Sequence, residues 1–293
     1  MSRLACLCLP LLAFLAGCGA GAQGAGLAAS VNGHGITLAQ YNQQVYVRRM
    51  ESLDGTGVDV CAVKSTASLC SILKRGVLNQ LISDEVIRQY AAAHHIAVSN
   101  QQFETAWIPT YQQQFHGSPA VLNAYAKRMH LTPADVKAQT RQSVLQQQVM
   151  YAVTSTLSPY TKAVEIARID VATPQQMASV QNELQHGKTF QQVAAQLNSQ
   201  KTSICHTQGG CGQPEWLPDS FVPAGDTAVF TAKPGTVTGP FFSQQIQELD
   251  LVVARDNHYA MTQAQELRAR QQVFAGWLSR QEKKATIVRY VHP

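Results

Sequence analysis

The strongest constraint on the fold is a change of pattern near Ser158-Pro159, where long helical stretches give way to short strands and helices. Before this point, apolar residues recur at the three- and four-residue spacing of an amphipathic helix. Helix start signals stand at Thr37, at Ser99 and at Thr132-Pro133. We therefore predict a helical domain over residues 28–160, with a loop at 52–65 around Asp54-Gly55.

After Ser158-Pro159 the chain alternates between strand and helix patterns, with a Gly- and Cys-rich loop at 198–215. The predicted order is strand 165–171, helices 174–185 and 190–197, a short helix 223–230, and strands at 241–242 and 249–254. This order predicts an α+β domain with a small sheet over residues 161–258. The pattern over residues 259–293 predicts a last helix at 262–284, followed by a strand of alternating apolar and polar residues at 286–291.

The N-terminus reads as an export signal. Arg3 precedes an apolar run that is too short to span a bilayer. The sequence Leu15-Ala16-Gly17-Cys18 resembles the lipobox of bacterial lipoproteins, in which the cysteine is lipidated and becomes the first mature residue. The resemblance implies a signal peptide at 1–17, a lipid on Cys18 and a flexible tether at 18–27. The alternative is an ordinary signal peptide that contains a cysteine.

Four cysteines remain beyond the tether, in two close pairs, Cys61 with Cys70 and Cys205 with Cys211. An even number in local pairs favours two small-loop disulfides in an oxidising compartment. A zinc site that includes His206, or free buried thiols, are the alternatives. The formal net charge of +5 is spread along the chain with no Lys/Arg block, so nucleic acid is not an expected partner.

The order of motifs resembles a known family. Val31-Asn32-Gly33 with Ile36-Thr37, followed by Leu81-Ile82, Ile96-Ala97-Val98-Ser99 and Leu131-Thr132, is similar to the N-terminal domain of the SurA and PrsA extracytoplasmic chaperones. In that family the last helix and strand pack on this domain, and a parvulin-type peptidyl-prolyl isomerase domain is inserted before them. The resemblance therefore implies an α+β protein: a helical chaperone domain completed by residues 259–293, with an inserted parvulin-like domain.

The second domain carries the parvulin resemblance. It rests on Gly187-Lys188-Thr189-Phe190, Gly209-Gly210, Val222-Pro223, Ala228-Val229-Phe230 and the run from Lys233 to Pro240, in the family's order. The implied function is a lipid-anchored foldase that binds unfolded or proline-containing exported polypeptides and isomerises X-Pro bonds. A non-catalytic holding chaperone is the alternative. Amide rotation needs an apolar grip on the proline ring and no metal or organic cofactor, because the twisted transition state is less polar than the planar amide.

This sequence departs from the parvulin pattern at the site. The two family histidines fall on Ile169 and on Asp250, or on Glu248 without a gap, and the Cys/Asp position falls near Ser203. The candidate catalytic residues are Asp170, Ser203 and Asp250. The alternative reading of both aspartates is that they are solvent-facing strand carboxylates. Leu217, Phe221 and Phe230 are the candidate substrate pocket, and a further aromatic position falls on Gly225.

Overall fold

The computed structural model describes residues 26–62, 66–202, 204–205, 210–221, 227–243 and 245–293. The signal peptide at 1–17, Cys18 and most of the tether lie outside these residues, as do Ser203, His206 and Gly225. In the described part of the chain no helix is both long and apolar enough to cross a membrane. The chain divides into two compact units, one formed by the described residues up to Val149 with Leu278–Pro293, the other by Met150–Trp277.

The first unit combines helices with a small antiparallel sheet. Its strands are β1 (Leu27–Val31), β2 (His34–Thr37) and β7 (Ile287–Arg289), in the order β2-β1-β7. Its helices are α1 (Leu38–Thr56), α2 (Ala67–Ala93), α3 (Asn100–Phe115), α4 (Pro119–Arg128) and most of α5 (Pro133–Val153). Because β7 pairs with β1 through Ala29–Arg289 and Val31–Ile287, the C-terminal strand completes the sheet that the N-terminus begins.

Two apolar clusters hold this unit together. One joins β1 to α1 and α2 through Val31, Tyr41 and Ile82, and Leu278 and Ile287 pack against it. The other joins α3, α4 and α5 through Phe103, Trp107, Phe115, Leu122 and Val136. A disulfide between Cys61 and Cys70 ties the segment after α1 to the first turn of α2.

The second unit is a four-stranded antiparallel sheet with helices. Its strands are β3 (Tyr160–Val171), β4 (Pro214–Pro218), β5 (Val237–Ser243) and β6 (Ile246–Ala260), in the order β4-β3-β6-β5. Its helices are α6 (Pro174–Gln185), α7 (Phe190–Gln200) and most of α8 (Gln263–Lys284), with two 3₁₀ turns, Asp219–Phe221 and Thr227–Phe230. The predicted fold class, a helical domain plus an α+β domain, is confirmed.

Strand alternation separates the two faces of this sheet. Ala167, Ile169 and Val171 of β3 pack with α6 and α7 in one core cluster. Ile166 and Val252 belong to a second cluster on the opposite face. We call the first face the helix face. We call the second the open face, because α6 and α7 do not pack on it.

Glutamine side chains take part in the N-terminal capping of five helices. In α1, α3, α6 and α7 a Thr or Ser and the Gln three residues later form a reciprocal capping box, in the pairs Thr37/Gln40, Ser99/Gln102, Thr173/Gln176 and Thr189/Gln192. Thr262 and Gln265 make the same exchange before α8. The start of α5 uses a carboxylate, because Asp135 exchanges hydrogen bonds with Thr132. Each box satisfies backbone N–H groups that have no partner within the helix.

Three local expectations were wrong. Helix α1 runs to Thr56 through Asp54-Gly55, where we predicted a loop, and Gly57 ends it in the left-handed region at φ 71°. Strand β4 was not predicted, since it begins and ends in proline. Strands β5 and β6 are longer than their apolar centres indicated.

Candidate functional site

The open face of the second unit carries a cluster of charged side chains. Arg168 and Asp170 on β3 lie opposite Asp250 and Glu248 on β6, because the ladder pairs Arg168 with Asp250 and Asp170 with Glu248. Paired residues of a ladder project to the same face, so four charged groups meet at one place. We call Arg168, Asp170, Glu248 and Asp250 the charged cluster.

Arg168 is the centre of the charged cluster. Its Nε donates to Oδ1 of Asp250 at 2.9 Å, and its Nη2 contacts Oδ2 of Asp250 at 3.3 Å and Oε1 of Glu248 at 2.8 Å. The two aspartates are buried, with Asp250 1% and Asp170 8% exposed. The interpretation of Asp170 and Asp250 as solvent-facing carboxylates is therefore wrong.

Burial and neighbouring charges shift the protonation of this cluster. Burial, together with the charge of Asp250, raises the pKa of Glu248 to about 8, although Arg168 acts in the opposite direction. Burial lowers the pKa of Arg168, but its hydrogen bond to Asp250 and the three carboxylates outweigh this effect and raise the pKa overall. Near neutral pH, Glu248 therefore holds a proton that it can donate to Asp250, while Arg168 stays charged.

Ile169 does not face the charged cluster. It is fully buried on the helix face, among residues of α6 and α7. The residue of β3 that faces Asp250 is its neighbour Arg168. Reading β3 with a period of two would have found this, because Ala167, Ile169 and Val171 are apolar while Arg168 and Asp170 are polar.

An apolar surface adjoins the charged cluster on the same face. Ile166 precedes Arg168 by two residues on β3, and Val252 follows Asp250 by two residues on β6. Both belong to a cluster with Val164 and Val229, against which four partly buried residues pack: Leu217, Phe230, Ala232 and Phe241. Sequence reasoning had selected Leu217 and Phe230 and had missed Phe241, which the length of β5 brings onto this face.

The predicted site residues are thus only partly brought together. Among the described residues, Phe221 is not packed in this apolar cluster, and its ring lies 4.8 Å from the guanidinium carbon of Arg268. Ser203 lies outside the described residues, and the neighbouring Ile204 donates its N–H to the carbonyl of Asp170 at 3.2 Å. Within the described ranges, no group of three or more His, Cys, Asp or Glu side chains is arranged to hold a metal ion.

The structure contains both predicted disulfides, and one of them borders the charged cluster. Cys205 is bonded to Cys211. The Sγ of Cys205 accepts the backbone N–H of Asp170 at 3.1 Å. The predicted pairing of Cys61 with Cys70 is also present, in the first unit.

Both units of the chain contain a segment that matches a known family. Residues 3–150 match the family described as the SurA-like N-terminal domain, and residues 158–249 match the PPIC-type PPIASE domain. No protein with a curated description matches this sequence.

Solved structures similar to this chain include foldases and chaperones. A peptidylprolyl isomerase, PrsA, from Bacillus anthracis is 15% identical over 71% of this chain and 92% of its own, with a TM-score of 0.42. The foldase PrsA of Streptococcus pneumoniae is 14% identical over 85% of each chain, with a TM-score of 0.38. A SurA-like chaperone from Campylobacter jejuni is 11% identical over 90% of this chain and 99% of its own, with a TM-score of 0.34.

Proposed function

Since the chain belongs to the SurA-like family and carries a PPIC-type PPIASE domain after its N-terminal domain, we propose that it is an extracytoplasmic foldase anchored by a lipid on Cys18. In this proposal it binds unfolded exported polypeptides and weakly accelerates rotation about their X-Pro bonds. The observation that carries the catalytic part is the open face, where an apolar surface adjoins the charged cluster.

The apolar part of the open face is the proposed grip on the proline ring. Phe230 and Leu217 are partly exposed and pack against the buried cluster that includes Ile166 and Val252. An amide that twists about its C–N bond loses conjugation and some polarity, so an apolar contact stabilises the twisted state more than the planar one. No covalent intermediate is needed in this step.

The charged cluster explains why we expect the acceleration to be weak. The Nε and Nη2 groups of Arg168 already donate to Asp250 and Glu248, and Glu248 is positioned to share its proton with Asp250. Hydrogen-bonding groups that satisfy one another offer little new stabilisation to a transition state, because catalysis comes only from interactions that strengthen there.

The same observation favours a second candidate, a holding chaperone without turnover. A cluster in which Arg168 is paired with Asp250 and Glu248 also serves as a purely structural core for the sheet. In that case the second unit would contribute surface for client binding and no catalysis.

One experiment separates the two candidates. The purified protein is tested for acceleration of cis–trans isomerisation in a short X-Pro peptide, and for suppression of aggregation of a chemically denatured reporter protein. The foldase proposal expects both activities. Suppression without acceleration in a folded protein would support the holding chaperone, and the absence of both would contradict the two candidates together.

A further inference from the structure

The edge of β3 is covered in two different ways along its length. Strand β4 pairs with β3 from Ala163 to Ala167 and no further. Beyond that point the loop after α7 takes over, because the N–H of Gly212 donates to the carbonyl of Arg168 at 2.8 Å and that of Ile204 to the carbonyl of Asp170 at 3.2 Å. The backbone that carries two members of the charged cluster is therefore held by this loop.

The disulfide makes a third contact with the backbone of this segment. The N–H of Asp170 donates to Sγ of Cys205 at 3.1 Å. The sulfur atom thus takes the place of a carbonyl oxygen of a neighbouring strand. Its donor is the backbone of Asp170, whose side chain belongs to the charged cluster.

The two ends of the disulfide are anchored differently. Cys211 is 2% exposed in the core of the helix face, where the side-chain amide of Asn198 exchanges two hydrogen bonds of 3.0 Å with its backbone. Cys205 is only partly buried and packs at the margin of the same cluster. The disulfide therefore ties the partly buried Cys205 to Cys211, whose backbone is held by Asn198 of α7.

We propose that the Cys205–Cys211 disulfide is a positioning element of the candidate site, acting through the backbone of Arg168–Asp170. It fixes where Arg168 and Asp170 stand relative to Glu248 and Asp250 across the ladder. The proposal deepens the proposed function, since it concerns the same open face. Its test nevertheless reads the charged cluster directly and does not depend on turnover.

The test compares two matched double variants, Cys205→Ala/Cys211→Ala and Cys61→Ala/Cys70→Ala, with the parent. Each removes one small-loop disulfide, and only the first borders the charged cluster. Amide hydrogen exchange of Asp170 and Gly212 is followed by NMR, together with the titration of the Glu248 carboxyl. Global unfolding is measured in parallel.

We expect the first variant to exchange the amides of Asp170 and Gly212 at least about tenfold faster than the parent, beyond any change in global unfolding. The Glu248 titration should move by about one pH unit, because Arg168 and Asp170 are no longer held at fixed distances from it. The second variant should leave both readouts at the parent's values.

Unchanged exchange at Asp170 together with an unchanged Glu248 titration would overturn the proposal, and so would equal changes in both variants. If the double variant does not fold, the single variant Cys205→Ala takes its place, since it leaves the buried Cys211 side chain in the core. If the parent protein shows no X-Pro turnover, the foldase proposal is contradicted but the positioning role of the disulfide is not, because neither readout requires turnover.

Discussion

The guanidinium of Arg168 and the carboxylate of Asp250 face each other across the β3–β6 ladder, with Nε 2.9 Å from Oδ1 and Nη2 3.3 Å from Oδ2. Two parallel hydrogen bonds fix both planar groups in one geometry. Because the Asp250 side chain is 2% exposed, its carboxylate has no water as a ready substitute partner, whereas the Arg168 side chain is 23% exposed. This pair therefore sets the stability of the open face as well as its chemistry.

Asp250→Ala should destabilise the protein by about 2–3 kcal/mol, because Arg168 loses its main partner but is partly exposed and keeps its contact with Glu248. Asp219→Ala is the control: Asp219 is exposed and accepts one hydrogen bond from Thr161, so its loss should cost about 0.5 kcal/mol or less. Denaturant unfolding of the three proteins gives the comparison. Similar unfolding midpoints for both variants would show that the buried pair is not important for stability.

Glu248→Gln should make stability less dependent on pH. The folded protein keeps the Glu248 proton up to a pKa of about 8, whereas the unfolded chain loses it near 4.5, so folding binds a proton between these values. Stability is therefore lost as pH rises through this window, and it is fully present below it.

Gln retains an acceptor for Arg168 and an N–H donor for Asp250 but has no proton to lose. We expect the parent to lose stability from pH 5 to pH 8 relative to Glu248→Gln, as measured by thermal unfolding at several pH values. Parallel curves for the two proteins would mean that Glu248 titrates normally in the folded state.

Phe230→Ala should reduce X-Pro turnover more than Phe221→Ala. Phe230 packs on the apolar surface beside the charged cluster, whereas Phe221 stacks under Arg268. We expect a loss of about tenfold or more in kcat/KM for Phe230→Ala and about threefold or less for Phe221→Ala. The opposite ranking would move the proline contact to Phe221 and away from the open face.

Cys18→Ala should release the protein from the membrane fraction. The lipobox-like Leu15-Ala16-Gly17-Cys18 motivates this prediction, because stable attachment requires the acyl chains that the cysteine would carry. Cell fractionation followed by detection of the protein measures it, and Cys6→Ala in the predicted signal peptide is the matched control. Equal membrane association of the Cys18 and Cys6 variants would contradict the lipid anchor.

Local signals in the sequence were sufficient for most helices, because their starts are encoded within four residues. Thr37, Ser99 and Thr189 each begin a helix through a capping box that can be read directly from the residue types. The end of α1 was misread, since the helix continues through Asp54-Gly55 and ends at Gly57, the residue in the left-handed region. Strand β4 was missed because proline at both ends argues against a strand, and its pairing with β3 exists only in the folded sheet.

The candidate site could be predicted only in part, because it depends on which residues meet across a ladder. The choice of Asp170 and Asp250 selected β3 and β6, which carry the charged cluster, but the central place of Arg168 in that cluster follows from the register that sets it opposite Asp250. Register is a long-range property: a shift by one residue would send every side chain of β3 to the other face. The position of Phe221 likewise depends on Arg268, a residue far along the chain.

The glutamine capping boxes have a consequence for a protein proposed to work outside the cytoplasm, where the cell does not buffer its surroundings. A carboxylate that caps a helix weakens when acid protonates it, whereas the amide of Gln40, Gln102 or Gln265 has no proton to gain. The capping hydrogen bonds at these five helix starts are therefore indifferent to acid, whereas the start of α5 relies on the carboxylate of Asp135. In the second unit, burial raises the pKa of Glu248 to about 8. A change in acidity would therefore be felt at the charged cluster, while the capping boxes of α6 and α7 keep their hydrogen bonds.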